Sequence, residues 1–296
     1  MTAMNNVNYH QPLVDLKEKL AIKNVQLELV PKGRYNRLKS WDECYLFFQK
    51  HYSQLSEEHI DSDALDLATT QLAFYLASFG MYRGTDLLQC SRYVLEPVIK
   101  DVFGKVREHQ LRPWQTKFDP KTVQELRDTV DKTLRDTLRD KAGRKNANVT
   151  PTLSSKILLG MFACTPAYDQ FYQQGIKYFK ASMKKRVGKG HLPSQYSRLV
   201  SKLSSMFSDN GIKALHEFLK DPLTEAFFNG LQFFFEDLSV DSAKDQKCPR
   251  LKDCKAQDIP YPLMRKVDLF FWIVGEKLNP PKKRNASGKA SVGAQQ

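Results

Sequence analysis

The chain has 296 residues, of which 41% are hydrophobic and 27% charged, and its formal net charge is +13. This length supports a full hydrophobic core, and the composition excludes a collagen-like or wholly disordered chain. The longest apolar runs, 157–164 and 269–274, fall well short of the ~20 residues that a membrane-spanning helix needs. We therefore expect a soluble globular protein with no membrane partner.

The N-terminus and the cysteines indicate a cytoplasmic protein. Residues 1–20 contain no basic segment followed by an apolar stretch, so they do not resemble a secretion signal. The number of cysteines is odd and they are widely spaced, which does not fit a disulfide framework. They are Cys44, Cys90, Cys164, Cys248 and Cys254. We expect reduced thiols in a cytoplasm.

The positive charge is concentrated in two segments. Residues 143–191 carry nine Lys and Arg but one acid, Asp169, and residues 279–296 carry four bases and no acid. The rest of the chain is almost neutral. A local excess of this kind favours a surface that faces a polyanion, with nucleic acid the commonest candidate and DNA preferred to RNA. A solvated basic face and an acidic protein partner are the alternatives.

Apolar spacing predicts helices along most of the first half of the chain. Residues 40–52 and 62–82 each have a polar start and one apolar face, and a break follows at 83–85. The helix resumes over 86–104, where Pro97 should kink or divide it. Over 119–143, Asp119 is the predicted cap, Pro120 the first helical residue and Gly143 the end.

The second half is also predicted to be helical. The predicted helices cover 152–164, 166–180, 194–208, 210–220, 222–238 and 260–277, and a short strand at 24–30 is the one β candidate. These elements indicate a mainly α protein, either one multi-helix domain or two helical subdomains with a cleft between them. We divide it into an N-terminal helical region (1–142), a basic helical region with the candidate active site (143–278) and a flexible basic tail (279–296).

Several common site types are not supported by the sequence. It contains no phosphate-binding GxxxxGK[ST] loop, no GxGxxG and no HExxH. Cys248 and Cys254 have no nearby histidine, and the six histidines do not form a ligand spacing. We therefore predict neither a metal nor a cofactor.

Residues 150–172 contain the strongest candidate for chemistry. Thr150-Pro151 and Thr165-Pro166 each fit a helix start, which places Lys156 in the first two turns of one helix and Asp169 in the first turn of the next. A lysine near a helix N-terminus with apolar neighbours tends toward the neutral amine, which is a nucleophile. The aspartate would stay ionised as an electrostatic stabiliser. The alternative is that Asp169 only complements its helix dipole and Lys156 reaches solvent or a phosphate.

Helix geometry gives an expectation for the distance between these two residues. If 156–164 is one helix, eight residues at a rise of 1.5 Å put roughly 12 Å between Lys156 and the turn before Asp169. Contact between the two side chains would then require a break near Gly160.

One pattern in this region begins with Ser155-Lys156, continues with an apolar helix and ends with Pro166-Ala167-Tyr168-Asp169. It resembles the Lys…P-x-[YW]-D signature of the helix-hairpin-helix DNA glycosylase superfamily, particularly its shorter bacterial relatives similar to 8-oxoguanine glycosylase. Helix 262–277 is similar to the closing helix of these proteins, with Arg265, Asp268 and Trp272. The sequence also resembles bacterial proteins that share a Tyr-Arg-Gly segment, here residues 82–84. The chain differs from the glycosylases in having no glycine between 146 and 155.

The resemblance implies an all-helical DNA-repair protein that needs no metal. Lys156 would attack the sugar C1′ of a flipped modified nucleotide to give a Schiff base, and Asp169 would support the cationic transition state. The protein would thus be a base-excision glycosylase and abasic-site lyase.

Basic residues interleaved with tyrosines form the predicted DNA surface. They are Arg144, Lys145, Lys177, Lys180, Lys184, Lys185, Arg186 and Lys189, with Tyr172 and Tyr178. The alternative function is a non-catalytic nucleic-acid-binding module, regulatory or concerned with phage defence. In that module Lys156 would be one phosphate contact among many.

Overall fold

The computed structural model describes residues 10–22, 36–83, 86–143, 148–187, 202–203, 209–231 and 261–278, and these residues contain helices and no strand. The helices are α1 (His10–Ile22), α2 (Asn36–Lys50), α3 (Tyr52–Leu55), α4 (Ser62–Ser78), α5 (Glu96–Glu108), α6 (Pro120–Ala142), α7 (Pro151–Phe162), α8 (Gln170–Val187), α9 (Asp209–Leu219), α10 (Pro222–Asn229) and α11 (Leu263–Leu278). Two short 3-10 helices, Asp86–Gln89 and Arg92–Leu95, precede α5. The mainly α prediction is therefore confirmed.

Helix α6 begins and ends where the sequence predicts. The Asp119 carboxylate accepts hydrogen bonds from the backbone N–H groups of Lys121 and Thr122, Pro120 is the first helical residue, and Gly143 ends the helix with a left-handed φ of 63°. The apolar face is buried throughout. It consists of Val123, Leu126, Val130, Leu134 and Leu138.

The other predicted elements agree with the structure only in part. The 86–104 segment is divided as expected, with Pro97 in the first turn of α5 and the 3-10 helices before it. The helix predicted over 166–180 begins later, at Gln170, and continues to Val187. The helix predicted from 222 ends at Asn229, next to Gly230. The strand at 24–30, most of the helix at 194–208 and the tail lie outside the described residues.

One apolar core joins helices from both regions of the chain. It includes α2, α4, α5 and α6 from the N-terminal region and α7, α8 and α11 from the basic region. Helix α7 lies inside this core, where every residue from Leu153 to Phe162 is buried. Within the described residues, no helix combines the length and the apolar character needed to cross a membrane.

Helices α8 and α11 cross closely because a glycine of each helix faces the other. A Cβ atom added to Gly175 would lie 1.9 Å from the Phe271 carbonyl oxygen, and one added to Gly275 would lie 1.9 Å from the Phe171 carbonyl oxygen. The pairing of 171 with 275 and of 175 with 271 means that the two helices run antiparallel. This crossing fixes the start of α8 against α11, and both helices contribute to the site described next.

Candidate functional site

The chain reverses direction after α7 and runs back along it. Ala163 ends α7 in the left-handed conformation, with a φ of 49°, and residues 163–169, here called the return segment, lie outside any helix. Phe162 is six residues beyond Lys156, about 9 Å along the helix, and seven extended residues reach at least twice that distance. The return segment is therefore long enough to bring Asp169 back beside Lys156.

The buried Lys156 and the partly buried Asp169 form an ion pair. The Lys156 Nζ lies 3.1 Å from the Asp169 Oδ2, and the two side chains are 3% and 16% exposed. Helix α7 is continuous through Gly160, so the expectation that contact requires a helix break there is wrong. The reversal of the chain at Ala163 brings the two side chains together. The distance calculated from the rise of α7 does not include this reversal.

Asp169 holds its position because it caps α8. Its Oδ1 accepts a hydrogen bond from the Tyr172 backbone N–H at 3.0 Å, while Oδ2 is directed at Lys156. The carboxylate thus has one oxygen for the helix and one for the lysine. The helix start predicted at Thr165-Pro166 is wrong because those residues lie in the return segment, and the acidic cap three residues before Tyr172 starts the helix instead.

Aromatic residues at the end of α4 cover the lysine. The Phe79 ring centroid lies 4.5 Å from the Lys156 Nζ, and Phe79 itself packs edge-on against Tyr75. Tyr75 approaches α7 closely because residue 160 is glycine: a Cβ there would lie 2.6 Å from the Tyr75 ring. A carboxylate oxygen and an aromatic face are both contacts that an ammonium makes.

A second buried ion pair lies on α11, beside the return segment. Arg265 Nη1 donates to Asp268 Oδ2 at 2.5 Å, and both side chains are at most 3% exposed. Asp268 Oδ1 accepts from the Ala167 backbone N–H at 2.9 Å. Burial raises the pKa of Asp268, against the lowering effect of Arg265. The Arg265 guanidinium also stacks on Trp41, 4.4 Å from the ring centroid.

The predicted DNA-contact residues differ in how far they are exposed to solvent. Lys177 and Lys184 are exposed on α8, and Lys180 and Tyr178 are partly exposed. Tyr172 is fully buried between Tyr168 and Phe271, so its ring is not available to a ligand in this conformation. Lys185 and Arg186 lie at the end of α8. Arg144, Lys145 and Lys189 lie outside the described residues.

The structure also assembles one cluster that the sequence spacing did not reveal. Ligand atoms of Glu108, His109 and Glu125 lie within 4.8 Å of one another, with His109 Nε2 2.8 Å from Glu125 Oε2. His109 directly follows α5 and Glu125 lies in α6, sixteen residues later, so no short motif marks them. Lys105 and Lys121 pair with the two glutamates, which balances the charge of the cluster.

Comparisons with family models, with curated proteins and with solved structures found no match to this chain. The assignment of a function therefore depends on the residues and contacts described above.

Proposed function

We propose that this protein is a DNA base-excision glycosylase with abasic-site lyase activity, in which Lys156 is the nucleophile and Asp169 the supporting carboxylate. The observation that carries the proposal is the contact between the Lys156 Nζ and the Asp169 Oδ2 at 3.1 Å inside a largely apolar core. Burying a lysine is costly unless a partner compensates it. The adjacent carboxylate can accept the proton that the lysine must lose before its amine acts as a nucleophile.

The contact permits a balanced reaction. The Lys156 ammonium gives a proton to Asp169 Oδ2, and the neutral Nζ then bonds to the sugar C1′. The N-glycosidic bond breaks at the same carbon, its electron pair leaves with the base, and the base takes up the proton that Asp169 received. Opening of the sugar ring moves one N–H proton to the ring oxygen and gives the protonated imine. Asp169 is ionised again at this stage, and its carboxylate offsets the positive charge of the imine. β-Elimination then passes a C2′ proton to water and breaks the bond between C3′ and its oxygen, whose electron pair leaves with the phosphate.

DNA as the substrate is supported by charge and by the described lysines of α8. Residues 143–191 carry nine bases and one acid, and that acid is Asp169 itself. Lys177, Lys180 and Lys184 are spaced so that they lie on one side of α8, the helix that Asp169 caps. Such a basic surface would hold the phosphate backbone along the helix that begins after Asp169. The resemblance of 155–169 to the glycosylase signature supports the same substrate.

A Schiff-base trap tests the proposal. The protein is incubated with duplexes that carry an abasic site or one of a panel of modified bases, and the imine is reduced with borohydride. We expect a covalent adduct in the wild type and none in Lys156→Gln, which keeps an N–H donor for Asp169 but has no amine. Lys100→Gln, which changes an exposed lysine of α5 outside the proposed DNA surface, is the control and should form the adduct normally. Equal trapping by Lys156→Gln would refute the proposed nucleophile.

A non-catalytic nucleic-acid-binding module is the second candidate, favoured by the same lysines of α8. In this case Lys156 would contribute no more to binding than any other base. Replacing Lys177, Lys180 and Lys184 together with glutamine should weaken binding and flatten its dependence on salt, because fewer counterions are released. The control triple, Lys100, Lys117 and Lys132, lies elsewhere on the surface. Salt-dependent binding with no adduct on any duplex would favour this module.

A further inference from the structure

The return segment is held by side chains, because it lies outside the helices and the described residues contain no strand to pair with it. The Tyr168 backbone N–H donates to Ser155 Oγ at 3.0 Å, and the Tyr168 carbonyl accepts from Thr152 Oγ1 at 3.0 Å. The Ala167 N–H donates to Asp268 Oδ1 at 2.9 Å. Two of these anchors come from α7 and one from α11, and Gln173 of α8 also donates to the Tyr168 carbonyl at 3.1 Å. All three fix the residues immediately before Asp169.

Asp268 differs from the other two anchors in being a buried carboxylate. Removing a carboxylate from water is costly, and the nearby Arg265 repays only part of that cost. Arg265 is in turn held on the Trp41 ring, and Trp41 donates its indole N–H to the Leu159 carbonyl of α7. Asp268 is therefore fixed relative to α7 as well as on its own helix. Its electrostatic neighbours include both Lys156 and Asp169.

We propose that Asp268 is a positioning residue for the Lys156–Asp169 pair. Through its hydrogen bond to Ala167 it sets the end of the return segment, and with it the position at which the Asp169 carboxylate meets the lysine amine. Asp268 does not touch the substrate or the reacting atoms. This role rests on the proposed glycosylase function, because it is measured through that reaction.

The test compares Asp268→Asn with Asp131→Asn in the trapping reaction on an abasic duplex. Asp131 is a good control because it also accepts a hydrogen bond from α7, from Ser154, but takes no part in the hydrogen bonds from Thr152, Ser155 and Asp268 that hold the return segment. We expect Asp268→Asn to lower the maximal trapping rate about tenfold to a hundredfold, since small misplacements of reacting groups have effects of this size. The duplex concentration for half-maximal rate should stay within about twofold of the wild type. Asp131→Asn should change neither quantity by more than about twofold.

A double variant separates positioning from a general loss of structure. If Asp268 acts through Asp169, then Asp268→Asn combined with Asp169→Asn should trap no more slowly than Asp169→Asn alone. Additive losses would overturn the proposal. If Asp268→Asn does not fold, as judged by circular dichroism, Asp268→Glu keeps the charge beside Arg265 and displaces the carboxylate oxygens by one methylene. It should show the same loss of rate.

The outcomes for the two proposals can be told apart. If the wild type forms an adduct and Asp268→Asn traps within twofold of it, the positioning role is refuted and the proposed function stands. If the wild type forms no adduct with any duplex, both proposals are refuted.

Discussion

Gly175 and Gly275 face each other where α8 and α11 cross, and neither helix backbone leaves room for a side chain at that point. We expect Gly175→Ala and Gly275→Ala each to lower the free energy of unfolding by about 1–3 kcal/mol or more, because a Cβ would lie 1.9 Å from a carbonyl oxygen of the facing helix. Urea unfolding followed by circular dichroism measures the change.

The control for this prediction is Gly104→Ala in α5. Its nearest neighbour would be the Arg107 guanidinium at 3.8 Å, so the added methyl has space. This variant should raise stability by about 0.5–1 kcal/mol, since alanine has the higher helix propensity. Equal effects at all three glycines would mean that the close crossing is incorrect.

The parts of this fold that were predicted correctly depend on local rules. Asp119, Pro120 and Gly143 each determine a helix end through groups within five residues, and α6 begins and ends as predicted. The start of α8 was misplaced because Thr165-Pro166 satisfies the same local rule as Asp169 does. The choice between them depends on hydrogen bonds that the return segment makes with Thr152, Ser155 and Asp268, which are distant contacts.

The sequence predicts which residues form the candidate site but not how they contact each other. The sequence singled out Lys156 and Asp169, yet helix rise implied that they would not meet. Their contact depends on a left-handed alanine at position 163, a conformation that sequence patterns assign to glycine. The sequence does contain a signal for Arg265 and Asp268, because opposite charges three residues apart in a mostly apolar helix can pair when they are buried.

Replacing Asp169 in two ways should separate its charge from its role as a helix cap. Asparagine is also a good N-cap, so Asp169→Asn should keep α8 intact while the trapping rate falls about a hundredfold, the size of effect seen when a transition-state stabiliser is lost. Asp169→Ala should trap equally slowly and should lose about 1 kcal/mol more of the free energy of unfolding. If Asp169→Asn traps at the wild-type rate, the carboxylate is not part of the reaction.

Phe79 should control the access of small reagents to the lysine. Phe79→Ala removes the ring that lies 4.5 Å from the Lys156 Nζ, so reductive methylation of Lys156 should become faster, as followed by peptide mass spectrometry. Phe74→Ala is the control, because Phe74 lies on α4, the helix that ends just before Phe79, and is 56% exposed. Unchanged labelling in Phe79→Ala, or an equal increase in both variants, would show that the ring does not cover the amine.

His216 gives a prediction for the dependence of stability on pH. Burial lowers its pKa in the folded protein, an effect that Lys220 reinforces and Asp119 opposes. Below about pH 6.5 the unfolded chain therefore binds a proton at this residue that the folded protein does not, so stability falls as the pH decreases until the folded pKa is passed. His216→Gln should remove this contribution to the pH dependence of the free energy of unfolding. Urea unfolding between pH 5 and 7.5 measures it, and identical slopes in both proteins would contradict the burial of the imidazole.

The central claim is that Lys156 is the residue that bonds to the sugar. Mass spectrometry of the reduced adduct, after digestion of the protein and of the DNA, identifies the modified residue directly. We predict that the abasic sugar is attached to the peptide that contains Lys156, with the exposed Lys177 and Lys184 unmodified. Attachment to one of those lysines or to the N-terminal amine, or the failure of any adduct to form, would contradict the account.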